Sequence, residues 1–462
     1  MNGMRYKLGI IAAFAGALIT VTNLTSCNGE TSTGMSPRML SSTPDNGASG
    51  IEPGDIEIRM VFDDSLSLAP TGFAKVSIDG ATVTRVSPVG DVLTVYLSQV
   101  QRGESYTLNV GQGTVLGSTG IENDPVAISF STLPAPGATT VDPGLCTPDP
   151  IESARKVYGL MRDVYGKAIL SSTMANVSWN INEAELVNKE IGDYPAITFF
   201  DYIHLNYSPA GWIDYNKTDV VENWWNAGGI PGSCWHWRVP KNENDVNPDN
   251  FTYSPGETTF RPENIFVDGS WERKIADADL SEMADYLLAL QEKGIPMIWR
   301  PMHEAAGNIY KGGSAWFWWG IDGAETYVRL WRYMFDFFKK KGVRNLIWVW
   351  TTEMDDSPFY PGDEYVDIVG RDLYNITDPR EAAAEYETIL KEYPNKMIAL
   401  SECGAVAPIS RQWAEGARWI FFMPWYQHDA TTLAGHGSAD DVWWKDAFSF
   451  DWVLRRGNLK FK

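Results

Sequence analysis

The stretch from Ile295 to Glu304 reads IPMIWRPMHE, and it decides the fold class. Its apolar residues follow one another without the alternation expected of a strand with one face in water. Such a run indicates a strand that is buried on both faces, as in a parallel sheet covered by helices. The run ends in His303 and Glu304, which could form a metal-ligand pair or supply half of a carboxylate pair.

Similar apolar runs recur along residues 150–462, with helical segments between them. Eight strands alternating with helices predict an α/β fold of the (β/α)8 TIM barrel type. A doubly wound open sheet is the main alternative, but no glycine-rich phosphate loop follows the first strand. Asp378 is the expected N-cap of one helix, with Pro379 in its first turn. The predicted strands are 167–171, 196–202, 229–237, 296–301, 345–350, 366–373, 397–402 and 419–425, and the clearest helices are 279–293, 325–341 and 379–392.

Tryptophan marks a boundary in the chain, because all 20 tryptophans lie beyond residue 178. Before it, short β-rich runs separated by turn residues predict a small all-β sandwich over 51–133. Its ATVTRVSPVGDVLTVYLSQVQRGESYTLNV stretch resembles bacterial Ig-like domains. Stretches rich in small and turn-forming residues predict a flexible tether at 27–50 and a linker at 134–149. With no tryptophan for stacking on sugars, the sandwich is interpreted as a spacer.

The N-terminus has the features of an export signal. Arg5 and Lys7 precede an uncharged apolar stretch that ends in Leu-Thr-Ser-Cys at 24–27. This ending resembles the bacterial lipoprotein box, which implies removal of residues 1–26 and lipid on Cys27. We therefore expect a lipoprotein of the bacterial outer membrane, facing either the periplasm or the cell surface. Ordinary signal cleavage that leaves Cys27 free or in a disulfide is the alternative.

The composition narrows the choice of partners. A formal net charge of −21 would repel a phosphate backbone, so nucleic acid is not an expected partner. A neutral ligand and a monomeric chain are expected instead. Besides Cys27, three cysteines remain, and neither their odd number nor their spacing suits a disulfide framework or a structural zinc; they are Cys146, Cys234 and Cys403.

The metal interpretation of His303 and Glu304 fails locally. A zinc-protease helix needs a second histidine four residues after the first, and that position is Gly307. A metal bound from distant strands, by His204 or His236 with Glu304, has no supporting carboxylate-rich or thiolate pattern. We expect neither a metal nor another cofactor.

Glu304 and Glu402 form the better pair. Each follows an apolar run, IPMIWRPMHE or KMIALSE, and strands four and seven of an eight-stranded barrel lie across the mouth from each other. Two carboxylates placed there can perform glycoside hydrolysis. The alternative is a pair of rim glutamates in salt bridges with Arg300 or Arg371.

Aromatic residues accompany this pair. The run WFWWG at 316–320 and the tryptophans near other strand ends offer flat faces of the kind that stack on sugar rings. With these residues, the sequence resembles glycoside hydrolase family 26, whose best-known members are endo-β-1,4-mannanases. The resemblance covers residues 150–462 and rests on the motifs WRPMHE, WFWWG, GRDLY, LSECG and CWHW.

The resemblance implies a retaining enzyme that cleaves β-1,4-mannosidic bonds in mannan, galactomannan or glucomannan by double displacement. Carried over by motif, Glu304 is the acid/base and Glu402 is the nucleophile. Tyr374 is then expected to hydrogen-bond the nucleophile, and His303 to orient the sugar and the nucleophile. The remaining expected substrate-binding residues are His236, Trp237 and Trp425, towards the glycon side, and Trp316, near the cleavage point.

Two departures from the family pattern concern substrate fit. Residues 305–315 separate the HE motif from WFWWG, and PWYQHD at the eighth strand end lacks the arginine that often follows the tryptophan. Gln427 or His428 could replace that contact. The catalytic pair does not separate a mannanase from a β-1,3-xylanase or a mixed-linkage β-glucanase of the same family. A non-catalytic surface glycan-binding protein is the further alternative, and endo action is favoured over exo action.

Overall fold

The structure, a computed structural model, describes residues 35–133 and 141–460. The predicted signal peptide and Cys27 lie outside these residues. No helix in the two described ranges is long and apolar enough to cross a bilayer. In the same ranges, Cys146, Cys234 and Cys403 are free thiols.

The N-terminal region is all-β, as predicted. Its main strands form two four-stranded sheets with the orders β1-β3-β7-β6 and β2-β10-β8-β5. Side chains alternate between buried and exposed along β8, and the buried ones from both sheets share one core with Ile58, Val95, Leu108 and Ile128. The strands are β1 (Met39–Thr43), β2 (Ala48–Ile51), β3 (Gly54–Phe62), β4 (Ser67–Leu68), β5 (Val76–Ser77), β6 (Thr82–Val89), β7 (Val92–Val100), β8 (Ser105–Val110), β9 (Val115–Leu116) and β10 (Val126–Thr132).

The prediction of a flexible tether at 27–50 is wrong for its second half. Strand β1 pairs antiparallel with β3, from Met39 opposite Phe62 to Thr43 opposite Arg59, and β2 pairs with β10. Most side chains of both strands are at least partly exposed. Backbone hydrogen bonds hold them, so a composition poor in apolar residues does not reveal them.

The C-terminal region is a closed barrel, as predicted. Eight parallel strands run in the order β12-β13-β14-β15-β16-β17-β18-β11, and pairing of β11 with β12 closes the ring. All eight predicted strands are present, with bounds that differ by a few residues. They are β11 (Ile169–Met174), β12 (Ile197–Asp201), β13 (Ile230–Trp235), β14 (Met297–Pro301), β15 (Leu346–Thr352), β16 (Ile368–Tyr374), β17 (Met397–Gly404) and β18 (Phe421–Pro424), and a short β19 (Val453–Leu454) joins β11.

Helices surround the barrel. The Asp378 side chain accepts a hydrogen bond from the backbone N–H of Arg380, which confirms the predicted cap. One helix begins earlier than predicted, at Trp271, because the Ser270 side chain caps it. The helices are α1 (Glu152–Val164), α2 (Asn182–Ile191), α3 (Asp219–Asn226), α4 (Trp271–Glu292), α5 (Gly323–Lys341), α6 (Pro379–Glu392), α7 (Ile409–Ala414) and α8 (Asp441–Phe448).

The described part of the predicted linker, residues 141–149, lies against the barrel. Asp142 accepts a 2.7 Å hydrogen bond from the Lys396 ammonium, and the Cys146 backbone N–H donates to Asp367 at 2.7 Å. These contacts fasten the segment to the barrel before α1 begins. Pro and Gly permit flexibility, but polar contacts with distant residues remove it here.

Candidate active site

The carboxyl end of β14 turns sharply at the barrel mouth. Met302 and Glu304 have positive φ angles, 45° and 50°, which side-chain-bearing residues rarely adopt. His303 between them is almost fully buried, whereas Glu304 is partly exposed. Backbone strain of this kind clusters at functional sites, where the surrounding fold maintains it. The turn sets the directions of the two side chains that follow the strand.

A buried arginine on β14 joins three strands. The Arg300 guanidinium donates to Glu402 Oε2 at 3.1 Å, to the Asp372 carboxylate and, through Nε, to Thr351 Oγ1 at 3.1 Å. The side chain is 0% exposed. Of the two arginines that the sequence offered as salt-bridge partners of Glu304 and Glu402, Arg300 contacts Glu402. Arg371 instead binds other carboxylates.

Glu402 lies at the end of β17 and is held from two sides. Besides Arg300, the Tyr374 hydroxyl donates to Glu402 Oε1 at 2.5 Å, which is the contact that the sequence motif implies. The net shift of the Glu402 pKa is upward: burial and the nearby Asp372 raise it, and Arg300 and the Tyr374 hydrogen bond oppose the rise. Both donors favour the ionised carboxylate and fix its orientation. Burial and the Glu402 charge raise the pKa of Tyr374, so its hydroxyl keeps its proton for this bond.

Glu304 has the opposite electrostatic setting. Burial, followed by the charges of Asp372, Glu402 and Glu353, raises the pKa of Glu304 to about 10, with Arg300 opposing the shift. Glu304 therefore carries a proton at neutral pH. In a carboxylate pair, the protonated member is suited to act as the acid and the ionised member as the nucleophile. The contrast between Glu304 and Glu402 fits this division of roles.

Two histidines line the mouth beside this pair. The His236 Nδ1 lies 2.5 Å from Asp201 Oδ2; although burial lowers the pKa of His236, Asp201 outweighs it and the net shift is upward. The His303 ring lies 4.4 Å from that of His236, and burial, Arg300 and His236 hold its pKa well below the usual range. His303 is thus neutral, and its buried Nδ1 has no protein partner among the described residues.

Aromatic side chains complete the wall around these histidines. The ring of Trp425 lies 5.8 Å from His236, and Phe317 lies 5.2 Å from His303. Tyr253, which is 39% exposed, contacts both His236 and Phe317. Tyr253 was missed by sequence reasoning because it lies in the long segment after β13, far along the chain from any strand end. Trp316 is also 39% exposed and can meet a ligand.

The prediction that Trp237 binds substrate is wrong. Its side chain is 0% exposed and stacks on Trp235 with ring centroids 4.3 Å apart. Its indole N–H donates to Asp279 of α4 at 2.6 Å. Strand β13 ends at Trp235, and neighbouring side chains point in opposite directions, so His236 faces the mouth while Trp237 faces the helix layer.

The segment 305–315 forms a compact loop. The backbone N–H groups of Asn308 and Gly313 donate to Ser314 and Asn308 carbonyls at 3.0 Å and 2.8 Å. A Cβ on Gly320 would lie 1.8 Å from the Ala305 carbonyl oxygen, so the last residue of WFWWG allows the loop to pass. The loop leaves Trp316 exposed, whereas Trp318 and Trp319 are buried.

A third carboxylate near Glu304 was also missed. Among the described residues, Glu304, Glu353 and Asp372 form a group in which one oxygen from each lies within 4.8 Å of the others. Glu353 directly follows β15, so a search of all eight strand ends would have found it. Such a group has the spacing of a cation site, but Arg300 and Arg371 already supply positive charge to Asp372 and Glu353. The absence of a metal stays a prediction.

Comparisons with known proteins agree with this geometry. The family model described as Glycosyl hydrolase family 26 matches residues 146–455. A mannan endo-1,4-beta-mannosidase B from Piromyces sp is 31% identical over 296 residues, covering 62% of this chain and 48% of that protein. The chain thus spans about half the length of that curated relative.

Solved structures give the same result. The GH26 domain of an endo-beta-mannanase/endo-beta-glucanase from Prevotella bryantii is 39% identical, with a TM-score of 0.64 over 69% of this chain and 99% of that one. A beta-mannanase from a symbiotic protist of the termite Reticulitermes speratus, complexed with gluco-manno-oligosaccharide, is 30% identical. Its TM-score is 0.60 over 71% of this chain and 100% of that one.

Proposed function

Because the chain belongs to glycosyl hydrolase family 26, we propose that it is a retaining, endo-acting mannanase that cleaves β-1,4-mannosidic bonds in mannan, galactomannan or glucomannan. The observation that carries the proposal is the contrast between Glu402, held by Arg300 and Tyr374, and Glu304, which is protonated. Mannan as the substrate is supported by the relatives, which include a mannan endo-1,4-beta-mannosidase and an endo-beta-mannanase/endo-beta-glucanase.

In the first step, the Glu402 carboxylate attacks the anomeric carbon of the sugar. The bond to the departing oxygen breaks, and Glu304 transfers its proton to that oxygen. Arg300 and Tyr374 keep one lone pair of the nucleophile aimed at the sugar because both of their bonds to Glu402 fix its plane. The step forms a covalent glycosyl-enzyme and leaves Glu304 ionised.

In the second step, Glu304 takes a proton from a water molecule as that water attacks the anomeric carbon. The ester bond to Glu402 breaks, and the carboxylate returns to its two donors. Two inversions give net retention of the β configuration. Glu304 therefore acts as acid and then as base, which requires its carboxyl group to reach both the leaving oxygen and the water.

The sugar on the glycon side lies against the rim that carries His236, His303 and Trp425. Neutral His303 offers its unpartnered Nδ1 to a sugar hydroxyl or a water. Trp425 gives a flat face for the sugar ring. Trp316, delivered by the 305–315 loop, contacts the other side of the cleavage point.

The test is turnover of linear β-mannan by Glu402→Ala, with Glu387→Ala of helix α6 as the control for loss of a surface carboxylate. We expect no measurable turnover for the first variant and wild-type turnover for the second. NMR of the first product should show the β anomer. Activity retained by the Glu402 variant, or a first product with the α anomer, would refute the mechanism.

A substrate panel separates this proposal from the alternatives. Reducing-sugar release from mannan, galactomannan, xylan and lichenan should be greatest on the first two, with a spread of product lengths typical of internal cleavage. Preferred hydrolysis of xylan or lichenan would establish another specificity of the family. Binding to mannan without hydrolysis by the wild type would establish a glycan-binding protein.

We also propose that the protein is a monomeric lipoprotein of the bacterial outer membrane, with lipid on Cys27 and the β-sandwich as spacer. The Leu-Thr-Ser-Cys motif supports this proposal. Labelling of cells with a palmitate analogue should mark the wild type and not Cys27→Ser. Protease treatment of intact cells distinguishes the cell surface from the periplasm, and light scattering after size exclusion measures the oligomeric state.

A further inference from the structure

Glu353 is a buried carboxylate that the proposed reaction does not use. It directly follows β15, and the residue is 4% exposed. Its Oε2 accepts a 3.2 Å hydrogen bond from Arg371, while its buried Oε1 has no protein partner among the described residues. One of its oxygens lies within 4.8 Å of an oxygen of Glu304. A carboxylate in this position influences the proposed acid/base without contacting the nucleophile.

The charges around Glu304 are unbalanced. It faces three carboxylates, those of Asp372, Glu402 and Glu353, and one cation, Arg300. Arg300 is engaged by Asp372 and Glu402, and within the described residues no ion pair joins Glu304 to a cation. The proton on Glu304 therefore remains because ionisation would add another negative charge to a buried acidic group.

The surroundings of Glu353 differ from those of Glu304. It faces the cations Arg371 and Lys311 and the carboxylates Asp372 and Asp356. Arg371 is shared with Glu385, whose oxygen lies 2.6 Å from Arg371 Nε. Burial raises the pKa of Glu353 to about 8, with Arg371 opposing that shift. Arg371 forms an ion pair with Glu353, whereas within the described residues Glu304 has no ion-pair partner, so we expect Glu353 to ionise first as pH rises.

We propose that Glu353 is a positioning residue for the general acid, whose negative charge delays ionisation of Glu304 and thereby sets the alkaline limit of glycosidic cleavage. This inference rests on the proposed acid/base role of Glu304. Below the pH at which Glu353 ionises, the two carboxyls are both neutral and the effect is absent. Above that pH, the Glu353 charge keeps the acid in its working form.

The test compares the pH dependence of kcat/KM on mannan for the wild type, Glu353→Gln and Glu385→Gln. The glutamine at 353 keeps an oxygen for Arg371 and removes the charge beside Glu304. For Glu353→Gln, the alkaline limb of kcat/KM against pH should move to lower pH by about one unit or more, which is the range for strongly interacting titrating groups. Glu385→Gln also removes a charged partner of Arg371, but Glu385 lies outside the three-carboxylate group, so its alkaline limb should stay in place.

A second substrate isolates the proton donor. In a dinitrophenyl β-mannobioside, the dinitrophenolate leaving group departs without protonation. Cleavage of this substrate therefore does not need the acid form of Glu304. On this substrate, Glu353→Gln should leave the alkaline limb of the first step unchanged. If Glu353 had a purely structural role, Glu353→Gln would change the pH dependence of kcat/KM alike on both substrates. That result would overturn the inference.

Other outcomes are also decisive. An unchanged alkaline limb on mannan for Glu353→Gln, or an equal shift for Glu385→Gln, refutes the role assigned to Glu353. If the glutamine variant does not fold, Glu353→Asp, which keeps the charge but withdraws it from Glu304, should give a smaller shift in the same direction; no shift refutes the inference. A wild-type chain inactive on mannan, or an active Glu402→Ala, instead refutes the proposed function.

Discussion

Replacing Tyr374 by Phe removes one of the two donors to Glu402 while preserving the ring. The hydroxyl donates at 2.5 Å to the carboxylate of Glu402, which is itself buried. A hydrogen bond to a charged group contributes about 1.5–3 kcal/mol. At about 1.4 kcal/mol per tenfold change in rate, loss of the orientation it provides lowers kcat/KM by about 10- to 150-fold.

The pH dependence gives this prediction a direction as well as a magnitude. Glu402 must be ionised to attack, and the Tyr374 hydrogen bond lowers its pKa. Without that bond the pKa of Glu402 rises, so the acidic limb of kcat/KM against pH moves to higher pH. The assay is initial-rate hydrolysis of mannan across the acidic range for the wild type and Tyr374→Phe.

The matched control is Tyr194→Phe. Its hydroxyl also donates to a glutamate, Glu185, at 2.9 Å, but it precedes β12 and so lies at the other end of the barrel. This variant should retain the wild-type rate and pH profile. If Tyr374→Phe keeps the wild-type kcat/KM and its acidic limb does not move, the hydroxyl neither orients Glu402 nor lowers its pKa. That result would refute the reasoning from the geometry.

Three further predictions concern the walls of the mouth. Trp237→Phe leaves the half-buried Asp279 carboxyl without its indole donor, so the free energy of unfolding in urea should fall by about 1–3 kcal/mol. The KM for mannan should not change, and a raised KM would restore a substrate role for Trp237. Gly320→Ala places a Cβ 1.8 Å from the Ala305 carbonyl oxygen, so both Tm and kcat/KM should fall; unchanged values would show that the loop relaxes. Trp316→Ala removes a ring that is 39% exposed. Because an aromatic contact contributes about 0.5–1.5 kcal/mol, kcat/KM should fall about 2- to 13-fold with Tm unchanged. A lower Tm with unchanged kcat/KM would show that Trp316 is structural.

The eight barrel strands were predictable because a strand that is buried on both faces has to be apolar throughout, and this requirement is local. The positions of Glu304 and Glu402 followed from the same local signal, since topology brings the carboxyl ends of all parallel strands to one mouth. Tyr374 was also found at a strand end. Its bond to Glu402, however, was implied only by the motif and not by spacing.

Other features required the tertiary structure. Alternation places His236 and Trp237 on opposite sides of the chain, but it does not say which side faces the mouth. The structure turns Trp237 to the helix layer, where it donates to Asp279. Strands β1 and β2 were missed because they are held by backbone hydrogen bonds, which leave little trace in side-chain composition.

The sequence alone therefore determined which carboxylates reach the mouth, because burial along each strand is recorded in its own residues. Only the tertiary structure decided how their charges are shared: Arg300 with Asp372 and Glu402, Arg371 with Glu353, and Glu304 with no ion-pair partner among the described residues. Coulomb energies depend on distances and burial across strands that are far apart in sequence. Proton affinity at this site is consequently a property of the fold.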